Sequence, residues 1–223
     1  MRCIPEGERA AWRLLVMIVL GGCAPVPRPL SSAESATVVD GPRATGDVTI
    51  VHTNDLHGQL SEIVVDTGDA TAQTGDRGRP YQEYSRIGTI GGFARVATAV
   101  ARIRAERGAA NVLLVDAGDT FGDGLLANLT RGAATLRMMD ALGYQFMALG
   151  NHDFEYGAQH TRTLQSTVHF PMRAANAVIR ASGEPFNGDP TRVIVVSGVR
   201  VGLLALTYHN TDETGNKGNT REL

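Results

Sequence analysis

FMALGNHDFEYG, residues 146–157, runs from an apolar stretch directly into Asn151, His152 and Asp153. An amide, an imidazole and a carboxylate in a row do not suit a buried strand; they mark where one ends. Two earlier stretches repeat the design. VTIVHTND (48–55) is β-branched and closes on Asn54 and Asp55, and NVLLVD (111–116) is continuously apolar and leads into Gly118-Asp119-Thr120.

The segments between these strands have a helical period. From Gly92, residues Phe93, Val96, Ala97, Val100 and Ile103 share one face, Arg95, Arg102 and Arg104 lie off it, and Gly108 is placed to end the helix. A second helix covers 133–142, with Leu136, Met139 and Leu142 inward and Gly143 at its end. A weaker helix is expected over 157–166, a strand near 172–178, and a hairpin of RVIVVS with RVGLLAL through Gly198. Residues 58–90, with TGD at 67–69 and again at 74–76, read as an irregular excursion. Strands alternating with helices predict an α/β fold with parallel pairing in its first half.

In open sheets of this kind ligands sit beyond the carboxyl ends of the strands. A parallel sheet would therefore collect Asn54-Asp55-Leu56-His57, Gly118-Asp119-Thr120 and Gly150-Asn151-His152-Asp153 at one edge. Asp and His are good ligands for divalent cations, and Asn can coordinate through its carbonyl oxygen. The flanking glycines allow sharp turns and close approach. A carboxylate can bridge two cations, and a pair about 3.5–4 Å apart can clamp the oxygens of an in-line phosphoryl displacement. The parts suggest metal-assisted hydrolysis. Singly, each aspartate also fits a helix or turn cap. His52, His160 and His169 have no motif around them and read as surface or packing residues, whereas His209, just past an apolar strand, is left open.

Composition narrows the alternatives. A net charge of -2 over 223 residues, with Lys217 the only lysine, argues against a nucleic-acid polymer as partner. At the N-terminus, Arg2, Arg9 and Arg13 precede the apolar run Leu14–Leu20, followed by Gly21, Gly22 and Cys23, which is the order of a secretory signal. The span is too short for a membrane helix. Leu20-Gly21-Gly22-Cys23 resembles a bacterial lipoprotein box, which implies a signal peptide over 1–22, lipidation of Cys23 and a flexible tether over 23–47 rich in Pro, Ser and Thr. Residues 48–223 would form the folded part, facing the cell envelope. With Cys3 removed and Cys23 modified, any metal must be held by oxygen and nitrogen.

Asp55-Leu56-His57, Gly118-Asp119 and Gly150-Asn151-His152-Asp153, in that order, resemble the first three motifs of the calcineurin-like metallophosphoesterase superfamily. IVHTNDLHGQL, VDAGDTFGDGLLANLTRG and ALGYQFMALGNHDFEYG resemble more closely its 5′-nucleotidase branch. The resemblance implies an α/β sandwich of mixed sheets, cut short on its C-terminal side. It also implies two divalent ions, Mn, Zn, Fe or Co, that activate water to hydrolyse nucleotide phosphate esters without a covalent enzyme intermediate. By the same resemblance Asp55 and His57 bind the first metal, Asp119 bridges both, Asn151 binds the second, His152 contacts the phosphate and Asp153 orients His152. The family's later histidines and its base-binding C-terminal domain do not occur in these 223 residues. Weak binding of the second metal and low activity of this chain are therefore expected, with an uncovered sheet face or edge. No protein partner is expected. Two alternatives remain: a non-catalytic metal-binding lipoprotein, and hydrolysis of cyclic nucleotides or other esters.

Overall fold

The computed structural model describes residues 46–65, 88–122, 124–214 and 217–223; the expected signal, lipidation site and nearly all of the tether, and both TGD stretches, lie outside these residues. The three apolar stretches are strands β1 (Thr49–Thr53), β4 (Val112–Asp116) and β5 (Phe146–Ala148). With β6 (Met172–Arg173) they form one sheet in the order β1-β4-β5-β6. All three pairings are parallel. The register sets Thr53 opposite Asp116, Asp116 opposite Met147, and Met147 opposite Met172. A central parallel strand is covered on both faces, which is why β4 is apolar without alternation; Leu113 and Leu114 are fully buried.

Helix α1 (Phe93–Arg107) presents the expected stripe, with Phe93 and Val100 buried, and ends at Gly108 with φ 83°. Its Arg104 reaches the end of α3 (Ala133–Leu142) and donates to the carbonyls of Leu142 at 2.8 Å and Gly143 at 3.3 Å. A cation there complements the negative end of the helix dipole. Leu136 and Met139 of α3 join Met147, Leu149, Phe154, Phe170 and Met172 in the core. The connections also contain the short α2 (Leu125–Leu129), α4 (Ala158–Gln165) and α5 (Thr211–Thr214).

Two expectations need correction. Both ends of the stretch that reads as irregular are strands: β2 (Glu62–Val65) pairs antiparallel with β3 (Gly88–Gly91). The strand expected over 172–178 leaves the parallel sheet after Arg173. Ala175 donates to the Ala205 carbonyl, and the Asn176 side chain brackets the backbone of Thr207, donating to its carbonyl at 2.9 Å and accepting its amide at 2.8 Å. The hairpin forms as read, from β7 (Thr191–Val196) and β8 (Val199–Leu204). Ser197 (φ 48°) and Gly198 (φ 79°) are both left-handed, as a two-residue hairpin turn requires. One hairpin face carries exposed Val193, Val195 and Leu204.

Candidate metal centre

The pairing of β1 with β4 continues past the strand ends. Ala117 donates to Thr53, Asp55 to Gly118, His57 to Asp119 and Gly58 to Thr120, each backbone bond between 2.8 and 3.0 Å. The two loops therefore leave the sheet as one unit. Asp55 (φ 53°), His57 (φ 44°) and Asp119 (φ 55°) all hold left-handed conformations. For non-glycine residues each costs on the order of 1–3 kcal/mol, a cost sustained only where surrounding bonds impose it.

The third loop, after β5, is drawn against the second. A Cβ on Gly150 would lie 2.1 Å from Asp119 Oδ1, and one on Gly118 would lie 2.6 Å from the Gly150 nitrogen. Only glycine at both positions permits this approach. Asp153, fully buried, then ties the loops together: Oδ1 accepts the amides of Thr120 (2.9 Å) and Phe121 (3.0 Å), and Oδ2 those of Gly150 (2.8 Å) and Asp119 (3.0 Å). Burial pushes its carboxyl up to about 7, while the Gly150 and Phe121 amides pull the other way. A further bond runs from the His152 amide to Asp119 Oδ1 at 3.0 Å.

These restraints bring donor atoms of His57, Asp119 and His152 within 4.8 Å of one another. The two imidazoles meet edge to face with ring centroids 4.6 Å apart. Asp55, more than half exposed, adjoins the cluster with Oδ1 3.8 Å from His57 Nε2, and Asn54 donates to its other oxygen. Asn151 precedes the 3₁₀ turn His152–Phe154 and makes no side-chain cap bond there, so its amide is not spent as a cap. His209 is not part of the cluster; it is exposed, its ring 4.9 Å from that of Tyr208. His160 is bonded to the Arg131 carbonyl and His169 to Asp140.

The carboxylate beside His152 is Glu155, which meets Nδ1 from three residues along the turn. Asp153, expected to orient this ring, instead spends its oxygens on backbone amides, because the turn points it into the protein. Glu155 is the residue that motif reading passes over, although its i,i+3 spacing from His152 is visible in the sequence. Asp116 is passed over too, as the last residue of an apolar strand. It is 2% exposed and accepts from Thr53 Oγ1 (2.5 Å), Thr120 Oγ1 (2.8 Å) and the Gly118 amide (2.9 Å). The Thr53 hydroxyl also bonds Tyr144 at 2.8 Å. Burial raises the Asp116 carboxyl to about 6 and the Tyr144 phenol to about 12.

The donors in reach are imidazole nitrogens and carboxylate oxygens, with the Asn151 amide in the next loop position. Such a set fits a hard or borderline divalent cation. The profile of the calcineurin-like phosphoesterases matches residues 48–219.

The chain belongs to the calcineurin-like phosphoesterase family.

This family uses divalent metals, in keeping with the clustered ligands. The chain is similar to 5′-nucleotidase of Mus musculus, 35% identical over 202 residues, covering 87% of this chain and 32% of the relative. Similarity to the snake venom 5′-nucleotidase of Naja atra is 34% over 179 residues, covering 77% and 30%. Among solved structures, the 5′-nucleotidase precursor of Thermus thermophilus superposes with a TM-score of 0.61 at 33% identity, covering 76% of this chain and 30% of that one. The chain thus spans about a third of the length of these relatives.

Proposed function

We propose that this phosphoesterase chain carries the metal centre of a 5′-nucleotidase-type enzyme that hydrolyses phosphate esters of nucleotides by attack of water. The observation that carries the reading is the convergence of His57, Asp119 and His152 donor atoms at the carboxyl edge of the parallel sheet. Asp55, His57 and Asp119 would hold one divalent ion, and Asp119 with Asn151 a second. When bound, such a pair neutralises phosphoryl charge and activates water.

The chain's own residues supply the rest. An ionised carboxylate only accepts hydrogen bonds, so Glu155 keeps a proton on His152 Nδ1, and with a second proton on Nε2 the ring would donate from there to a phosphate or leaving-group oxygen. Asp153 keeps the Asp119 and His152 loops in register. The test is phosphate release from nucleoside monophosphates with added divalent metal. Slow, metal-dependent release lost in Asp119→Asn supports the reading; release indifferent to metal and to that substitution would sink it.

The N-terminal sequence supports a second part of the proposal: export, removal of residues 1–22 and anchoring through lipid on Cys23, with residues 48–223 as the folded part facing the envelope. Metabolic labelling with a fatty-acid analogue should mark the wild type and spare Cys23→Ala. Equal labelling of the two would exclude this anchor.

A further inference from the structure

Residues 217–223 lie more than sixty positions beyond the site loop, yet they close on it. The Asn219 side-chain amide donates to the Glu155 carbonyl, and the Asn219 carbonyl accepts the Ala158 amide at 3.0 Å. One residue thereby brackets the turn 155–158 from both ends. The segment that carries it is itself fixed: Arg180 donates to the Glu222 carbonyl at 2.8 Å, Leu223 to Thr220 at 2.9 Å, Thr220 is 4% exposed, and Leu223 packs against the core. The turn it brackets bears Glu155, whose carboxylate meets His152 Nδ1. Glu155 needs such support. Its side chain is 32% exposed and follows a three-residue 3₁₀ turn, a short and weakly held element.

We propose that Asn219 is a positioning residue for His152, acting through Glu155. The side-chain bond to the Glu155 carbonyl fixes the backbone from which the carboxylate projects, and the carboxylate in turn selects the Nδ1–H form of the imidazole. The catalytic consequence rests on the reading above, in which His152 contacts the phosphate; the effect on the proton's position does not. Groups that orient a reacting or ligating imidazole from behind typically matter 10–100-fold. Asn219→Ala removes the side-chain bond and leaves the backbone bond to Ala158 available, so it tests the side chain alone.

The experiment uses the full chain labelled with 15N-histidine and long-range proton–nitrogen correlation spectra, above the pH at which the imidazole protonates. In the wild type, His152 Nδ1 resonates in the protonated, pyrrole-type range and Nε2 in the pyridine-type range. In Asn219→Ala both nitrogens move toward averaged values, Glu155→Ala produces the same change, and the double variant shows no further change, since the two residues act in series. Where turnover is measured, Asn219→Ala lowers kcat about 10–100-fold with little change in KM, again without addition to Glu155→Ala. A His152 spectrum unchanged in Asn219→Ala overturns the proposal, even if the variant unfolds more easily, as does a further shift in the Glu155→Ala background. Absence of turnover in the wild type would count against the phosphoesterase reading, and the spectra would still decide this one.

Discussion

Asp153→Asn separates two roles for the same side chain. As a residue that orients His152, Asp153 would matter to turnover and little to stability. As a buried acceptor of four backbone amides, it should matter to stability first. Asparagine keeps one acceptor oxygen and replaces the other with an NH2 donor. Whichever way the amide is turned, that donor faces two backbone N–H groups, so two of the four bonds are lost. Hydrogen bonds to charged acceptors contribute about 1.5–3 kcal/mol each, which gives a loss of about 3–6 kcal/mol. That is a large share of the roughly 5–15 kcal/mol that holds a typical domain together. The assay is urea unfolding at pH 8, above the value of about 7 to which burial pushes this carboxyl, where asparagine escapes the cost of burying the charge and so recovers up to about 4 kcal/mol of that loss. What is left, at most about 2 kcal/mol, sets the fall in the midpoint, with the slope unchanged. Amide exchange supplies an independent readout in the folded variant, because protection should drop at Gly150, Asp119, Thr120 and Phe121 ahead of the rest of the sheet. Protection left intact at all four of those amides would refute the staple role.

Gly150→Ala should expel the Asp119 carboxylate, because the new Cβ would stand 2.1 Å from Oδ1; calorimetric titration with Mn2+ should show at least about tenfold weaker binding, and unchanged affinity would mean that the loops give way without cost. Asp116 offers a pH test. Its folded value of about 6 lies above the ordinary 3.8, so the folded state holds a proton that the unfolded chain has released. Its contribution to stability is then full only below pH 3.8 and is lost as pH rises through 6. The advantage of the wild type over Asp116→Asn should shrink by up to about 3 kcal/mol between pH 4 and pH 7. Urea midpoints across that range check it, and an advantage that stays flat or grows would contradict the burial argument.

Much of this site was legible because apolar runs that stop abruptly are a strong signal. NVLLVD and YQFMAL had to end where Asp119 and Asn151–Asp153 begin, and parallel pairing then collected the clusters at one edge. The helix stripe of Phe93, Val96 and Val100 was readable for the same reason, since periodicity encodes which face is covered. The partner each side chain would choose was harder to read. Asp153 and Asp119 both follow a strand, but one points inward to amides, three of them more than thirty residues away, and the other joins the candidate metal-ligand cluster; sequence does not encode that difference in direction. Glu155 was harder to read because the carboxylate next to His152 in the sequence, Asp153, is not the one next to its ring in space. The grip of Asn219 on Glu155 spans 64 residues and left no local pattern to find. The early end of β6 depended on a competing partner, Ala205 and Thr207, that only the folded chain supplies.

The most direct test of a metal centre in this chain is a divalent-metal titration of the purified protein, with Mn2+ followed by electron paramagnetic resonance. The structure predicts at least one saturable site, lost in Asp119→Asn and in His57→Ala and retained in His209→Ala, whose imidazole lies outside the cluster. Binding that never saturates, or that survives the loss of Asp119, would contradict a metal centre at the edge of the parallel sheet.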